Sequence, residues 1–251
     1  MRWKRIFFYS FIGLVILIAI SGLSACSKGH SMAADWRTAS RESAGIAPVP
    51  SETPEAVVQV YSARAFSWRG FFGVHTWIAS KRSNADSFMV YEVIGWRLYR
   101  DMPVVAVSKK DPDQRWFGAM PEILLDIRGG HVDQVIDDIE AAVSRYPYND
   151  RYNVWPGPNS NTFTAFVARE VPGLPLDLPP TAIGKDFLSG VVAYAPSGSG
   201  VQLSLYGLLG IMVALEEGLE INILGMTFGI DPKDLAIKLP GIGRLSVLPD
   251  R

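Results

Sequence analysis

Beyond residue 54 the chain alternates before it does anything else. Phe71 to Ser80 reads FFGVHTWIAS, with Phe72, Val74, Thr76 and Ile78 on one face and Gly73, His75 and Trp77 on the other. A period of two predicts a strand. Glu55 to Ala65, rich in valine, and Ser87 to Trp96 predict two more, and Val104 to Ser108 a fourth. Ser83-Asn84-Ala85-Asp86 supplies a turn between the second and third, which makes them an antiparallel hairpin. The period then changes. Val132, Val135, Ile136, Ile139, Ala142 and Val143 share one face over His131 to Arg145, with Asp133, Asp137, Asp138 and Glu140 opposite. That spacing predicts a helix, and Tyr146-Pro147 stops it. Pro121 to Ile127 is a shorter helix candidate, and Asn161 to Glu170 a further helix ended by Val171-Pro172-Gly173. Strands followed by helices predict an α+β fold, an antiparallel sheet packed against helices.

The C-terminal pattern differs. Val201 to Leu215 and Leu219 to Ile230 predict two long strands about Glu216-Glu217-Gly218, a long C-terminal β-hairpin. Odd positions from Val201 to Leu215 are apolar apart from Gly207, while the even face carries Gln202, Ser204 and Tyr206, then Leu208 and Met212. An arm apolar on much of both faces must be covered on both. The core sheet with the N-terminal tether, a second subunit, or lipid would each serve; packing within the chain is the expectation. The proline-rich stretch Pro175 to Lys185 between core and arm reads as an ordered loop rather than a linker.

The N-terminus reads as an address. Arg2, Lys4 and Arg5 precede the apolar run Ile6 to Ile20, short for a membrane span. Leu23-Ser24-Ala25-Cys26 follows and resembles a bacterial lipobox. The resemblance implies cleavage before Cys26 and lipidation there; the alternative is an uncleaved anchor. Either places the rest outside the cytoplasm, with the membrane as a partner. The resemblance further implies the outer membrane, because Ser27 stands where such lipoproteins carry an Asp for inner-membrane retention. The expected organisation is a signal peptide at 1–25, a lipid-anchored tether at 26–54, an α+β core at 55–190 and the C-terminal extension at 191–251. Trp36 is the expected docking point of the tether.

Composition narrows the function. The formal net charge is −1, and no basic run follows the first five residues, which excludes a nucleic-acid surface. One cysteine and three histidines exclude the usual zinc clusters and an internal disulfide. No metal or other cofactor is expected. Pro196-Ser197-Gly198-Ser199-Gly200 lacks the lysine and following helix of a phosphate loop, and no GxSxG elbow occurs. Lys185-Asp186 is either an ion-pair turn or part of a cleft wall.

Candidate chemistry centres on residues 152–167. Pro156-Gly157-Pro158 breaks the chain, and Asn159-Ser160-Asn161 begins the helix. Ser160 is either a cap or a nucleophile. As a nucleophile it needs a base, for which His75 is the candidate, and a third group to orient the imidazole, Glu92 or Tyr91. Backbone N–H groups at 160–162 would form an oxyanion hole. Trp77, Trp155, Asn159 and Asn161 would line the substrate cleft.

A histidine on a strand, then a helix, then Asn159-Ser160-Asn161-Thr162-Phe163 opening another helix resembles the permuted papain-like hydrolases and acyltransferases, such as the PPPDE peptidases and the lecithin:retinol acyltransferase relatives. The resemblance implies a permuted papain-like core acting on amides or esters, with peptidoglycan peptides or lipids as substrates. Those families carry a cysteine where Ser160 stands. Serine cannot reach its anion as a thiol can, so the site is either a serine enzyme or a binding relic. A closer resemblance spans nearly the whole mature chain: Trp36-Arg37-Thr38-Ala39-Ser40-Arg41, His75-Thr76-Trp77-Ile78-Ala79, Tyr91-Glu92-Val93-Ile94-Gly95-Trp96, Trp155 through Phe163, and Leu178 through Asp186 are similar to the proteobacterial envelope family called domain of unknown function 3750. It implies the fold and an envelope setting but no activity. Two functions follow: a serine-dependent hydrolase or acyltransferase using Ser160 and His75, or a non-catalytic peptide-, glycan- or lipid-binding or assembly lipoprotein. Hydrogen-bond reach between His75 and Ser160 separates them.

Overall fold

The computed structural model describes residues 35–247, together with residues 3, 9, 13 and 19–23. Cys26 and most of the signal sequence lie outside the described residues, and among those described no helix is long and apolar enough to cross a membrane.

The first sheet has five antiparallel strands: β1 Val57–Arg64, β2 Val74–Lys81, β3 Met89–Val93, β4 Val105–Lys109 and β5 Glu122–Arg128, in the order β4-β3-β2-β1-β5. The expected hairpin pairs Ile78 with Tyr91 and Ser80 with Met89. Residues 121–127 were expected as a helix, but 122–128 form β5, pairing Val58 with Ile127 and Tyr61 with Ile123. The apolar set Ile123, Leu124, Leu125 and Ile127 suits either state, and so short a helix is marginal alone. Strand β1 is buried along its whole length, so its edge away from β2 needs a ladder partner, which β5 supplies.

Helices α1 (Val132–Ser144) and α2 (Ser160–Glu170) cover one face of this sheet. Val58, Val60, Ile78, Tyr91 and Val93 meet Ile136, Ile139, Phe163 and Val167 there. Leu174, Leu176 and Leu178 of the proline-rich loop enter the same core, as its ordered reading requires. The opposite face carries Val57, Tyr61, Trp77, Ala79 and Val90, closed by Phe88, Ala119 and Trp116. Over this face lies the tether. Asp113 accepts from Ser43 Oγ (2.7 Å) and from the N–H groups of Ile46 (2.7 Å) and Ala47 (3.1 Å), and Ser43 bridges Gln114. Trp36 is not the docking point: it is 55% exposed, with the Arg37 guanidinium over its ring. Backbone pairing and one buried carboxylate hold the segment instead.

The C-terminal arm is a seven-stranded antiparallel meander, not a two-stranded hairpin: β6 Val192–Tyr194, β7 Gly200–Leu205, β8 Leu209–Ala214, β9 Gly218–Ile223, β10 Met226–Asp231, β11 Ala236–Leu239 and β12 Gly243–Ser246, each beside its sequence neighbours. Each expected long strand folds back on itself. Tyr206 and Gly207 (φ 52° and 69°), and Leu224 and Gly225 (φ 54° and 78°), form tight turns with two left-handed residues, the type whose twist suits a hairpin. Tyrosine and leucine are unusual at the first of those positions, which conceals the turns within the apolar alternation.

The meander is inverted. Its inner face carries Gln202, Ser204, Glu220, Asn222, Thr227 and Lys238, all buried. They meet Lys185 and Asp186, the turn once expected as an ion pair or cleft wall, in an ion-pair network. Asp186 accepts from Gln202 (2.5 Å), Asn222 (2.6 Å), Thr227 (3.1 Å) and Lys185 (3.2 Å). Lys185 also pairs with Glu220, and Lys238 bridges Glu220 (2.8 Å) and Asp177 (2.6 Å). Burial alone would raise the Asp186 pKa, but Lys185 and the amide donors outweigh it and hold the carboxyl low. Burial would likewise lower both lysines, yet their carboxylates raise them. Asp177 is pushed up to about 6 by burial, against the pull of Lys238. The outer face is apolar. Val201, Val213, Leu219, Ile230, Ile237 and Leu245 form one row; Leu203, Ile211, Ile221 and Phe228 a second; Leu205, Leu209, Ile223 and Met226 a third.

Candidate functional site

The α2 N-terminus is a latch. Asn159 Oδ1 accepts from the N–H groups of Asn161 (2.9 Å) and Thr162 (3.2 Å), and Thr162 Oγ1 accepts from Asn159 N–H (3.1 Å). This reciprocal cap satisfies donors that a helix start otherwise leaves bare. The remaining polar atoms tie the helix down. Asn161 Nδ2 donates to Val74 O (3.0 Å) and Ile183 O (2.8 Å); Asn159 Nδ2 donates to Val154 O and Ile183 O; Thr162 Oγ1 donates to Gly184 O. Gly184 sits at φ 100°, where a Cβ would run into the Asn159 amide. Asn159 and Asn161, expected to bind substrate, are thus consumed in joining α2 to β2 and the 183–184 loop. Trp155, also expected in the cleft, is 52% exposed and donates to Leu224 O (2.9 Å), strapping the α2 entry loop to the meander.

The expected dyad is divided by the sheet. Thr76 Oγ1 lies 3.0 Å from Asn161 Oδ1 and 2.9 Å from Thr164 Oγ1, and the Ser160 carbonyl is 3.5 Å away. α2 therefore rests on the face of β2 that carries Thr76 and Ile78. His75 and Trp77 alternate to the other face, and no hydrogen bond links His75 to Ser160. Tyr91 shares the helix side; its hydroxyl is 3.1 Å from Ser80 Oγ and 3.3 Å from Glu140, so it does not orient His75. Glu92, one residue on, does face His75.

His75 is 5% exposed. Its ring stacks on Trp116 at 3.6 Å between centroids, nearly parallel at 10°. Its Nε2 lies 3.7 Å from Glu92 Oε2, an ion-pair distance just beyond a hydrogen bond, and finds no hydrogen-bond partner. Burial holds the imidazole pKa down, with Glu92 opposing, so the ring is neutral at pH 7. Glu92 pairs with Lys110; burial would raise its pKa, but His75 and Lys110 together keep it low.

Above this pair opens a pocket of about 180 Å³ with walls of Trp77, Trp96, Trp116 and Phe117 and a floor of Glu92 and Lys110. Trp96 lies 5.7 Å from Trp116, and Phe117 stands edge-on to it at 5.1 Å. The Arg41 guanidinium sits 4.6 Å over the Phe117 ring, and Arg115 and Asp111 also line the opening. Of the expected site residues the fold brings together His75, Glu92 and Trp77. It adds Trp96, Trp116, Phe117, Lys110, Arg41 and Arg115, for which the available signal was two adjacent large aromatics, Trp116-Phe117, inside a polar loop. The pocket volume suits one ring or side chain rather than a whole cofactor. Among the described residues no group of His, Cys, Asp or Glu converges as a metal site.

These elements define an α+β protein with helices on one face of its first sheet and an aromatic pocket on the other. A family model described as protein of unknown function (DUF3750) matches residues 55–187. The chain belongs to that family; the match covers the first sheet, both helices and the latch, and ends before the meander. Neither curated proteins nor solved structures yield a match.

Proposed function

We propose that this protein is a non-catalytic envelope lipoprotein that binds a carboxylate-bearing glycan or peptide in the aromatic pocket over His75 and Glu92. The observation that carries the proposal is the stacked set of Trp77, Trp96 and Trp116 around a satisfied Glu92–Lys110 pair. Tryptophan faces accept flat apolar surfaces such as sugar rings. Lys110 neutralises Glu92, and Arg41 and Arg115 outweigh Asp111, so the opening favours an anionic group; a bidentate guanidinium–carboxylate contact suits that role. Peptidoglycan fragments combine both features. The expected signal peptide at 1–25, lipid attachment at Cys26 and tether belong to the same proposal, which puts the pocket at the membrane surface facing the cell wall, by the lipobox argument at the outer membrane.

A permuted papain-like core stays in this reading as a relic. Its support is the order of elements, β2 with its histidine before α2 with Ser160. The chemistry argues against catalysis: a serine needs a base within reach, and the residue facing α2 from β2 is Thr76. A hydrolase or acyltransferase using Ser160 and His75 is accordingly the weaker reading.

Intrinsic fluorescence tests the proposal, since three tryptophans line the pocket. Titration with a disaccharide–tetrapeptide muropeptide should quench emission saturably. Trp96→Ala and Arg115→Ala should each weaken binding roughly tenfold or more, in line with the loss of about 1.4 kcal/mol or more of contact energy, while Ser160→Ala should not alter it. A fluorophosphonate probe should leave the protein unlabelled. Labelling that disappears in both Ser160→Ala and His75→Ala would establish the hydrolase instead.

A further inference from the structure

The outer face of the meander takes no part in the proposed binding pocket. Fifteen or so apolar positions in three rows would be ordinary if scattered, but a contiguous patch beyond a few hundred Å² marks an interaction site. Its dimensions follow from the sheet. Four strands of six residues, two of four and one of three, at about 3.3 Å rise and about 4.8 Å spacing, give about 550 Å² of face. No charged side chain stands in any of the three rows.

We infer that a second copy of this chain covers this face, the two meanders packing sheet to sheet about a twofold axis. Burying the face on both copies removes about 1,100 Å², above the roughly 1,000 Å² that a specific interface needs. An apolar surface of valine, isoleucine, leucine and phenylalanine resembles a sheet-sandwich core cut in half, and aligned sheets interdigitate such faces about 10 Å apart. An isologous contact places the same central residue of both copies near the axis. β9 is the middle strand of the seven, and Ile221, 46% exposed, is the middle of its outward residues.

The charges of the meander favour a protein over a bilayer. Lipid surfaces draw proteins in with free lysine and arginine. Among the described residues every such side chain of the meander is paired internally: Lys233 with Glu216, Lys238 with Asp177 and Glu220, Arg244 with Asp231 and Asp234. The inference does not rest on the ligand pocket, which lies on the first sheet.

Cross-linking in native membranes tests it with the full chain. Ile221→Cys, oxidised with copper phenanthroline, should give a disulfide-linked dimer, and Gln134→Cys on the exposed face of α1 should not. Sedimentation of the detergent-solubilised full chain should report a dimer that Ile221→Asp converts to monomer. Ile221→Thr, which keeps β-branching and so the strand, should weaken the dimer at least tenfold with an unchanged circular dichroism spectrum. Copies carrying Ile221→Asp and Ile221→Lys, differently tagged and co-expressed, should recover each other in pull-down where neither recovers itself. Monomeric wild type with no cross-link at 221 overturns the inference. So does Cys26→Ala protein that stays monomeric and floats with phosphatidylethanolamine–phosphatidylglycerol vesicles, if Ile221→Asp abolishes flotation; the face would then be a lipid surface.

Discussion

In the first sheet, Val58, Val60, Ile78 and Tyr91 turn inward onto two helices, and polar groups on the inner side serve as seams, as Thr76 does against Asn161. In the second sheet, Gln202, Glu220, Asn222 and Lys238 turn inward, and isoleucine, leucine and valine turn out. Both sheets alternate with the same period. Alternation therefore identifies two faces without saying which is interior. What decides is the partner each face finds. The first sheet finds apolar helices, whose burial needs no directional matching. The second finds Lys185 and Asp186, fully buried charges that only a polar face can satisfy. Such an interior is stable only if complete, because a partly satisfied buried network is worse than an apolar one. None of its side chains is among the buried atoms lacking a hydrogen-bond partner.

The sharpest way to break this contrast is Asp186→Leu. Four donors lose their acceptor at once, and Lys185 keeps only Glu220. Removing one side of a buried ion pair typically costs about 3–5 kcal/mol, so urea unfolding should show a loss of that order; a loss under about 1 kcal/mol would mean the meander is held by something other than its polar face. A smaller effect is expected at the seam of the first sheet. Thr76→Val keeps the shape but strips the hydroxyl from Asn161 and Thr164, and should cost about 1–3 kcal/mol. Restoration of stability in a paired Thr76→Val, Thr164→Val variant would show that the seam is local. The smallest effect is in pH. Burial holds the His75 pKa below its ordinary value near 6.5, so the unfolded chain takes up this proton at a higher pH than the folded one. The resulting stability is fully present above about pH 6.5 and is lost as pH falls. Asp177, raised to about 6, acts with the opposite sign below that pH but is common to both proteins in a comparison. His75→Phe, which keeps the stack on Trp116, should flatten the fall in melting temperature between pH 7 and pH 5 relative to wild type. Parallel slopes would remove His75 from the account.

How far the sequence carries this fold can be read at particular residues. The strands around Val74–Ile78 and the helix face of Val132–Val143 follow from local periodicity and are present as expected. His75 is also legible as facing away from Val74 and Ile78; what its position means becomes clear only once α2 is known to lie on the Val74 side. β5 was concealed because Ile123, Leu124, Leu125 and Ile127 are too few and too closely spaced to set a period of their own. The turns at Tyr206-Gly207 and Leu224-Gly225 were concealed because the residues before each glycine look like strand. The pocket was illegible for another reason. Trp77, Trp96 and Trp116 come from three separate segments, and only long-range pairing brings them together.

The clamp around Asp113 has a mechanical consequence. Residues 43–47 are fixed by three hydrogen bonds to its carboxylate and one to its carbonyl, and the same loop supplies Trp116 and Phe117, with Arg41 resting on Phe117. A pull transmitted along residues 35–47 is therefore borne by the loop that walls the pocket. If residues 26–34 lead to a membrane anchor as proposed, tension on that leash and occupancy of the pocket would act on a shared element.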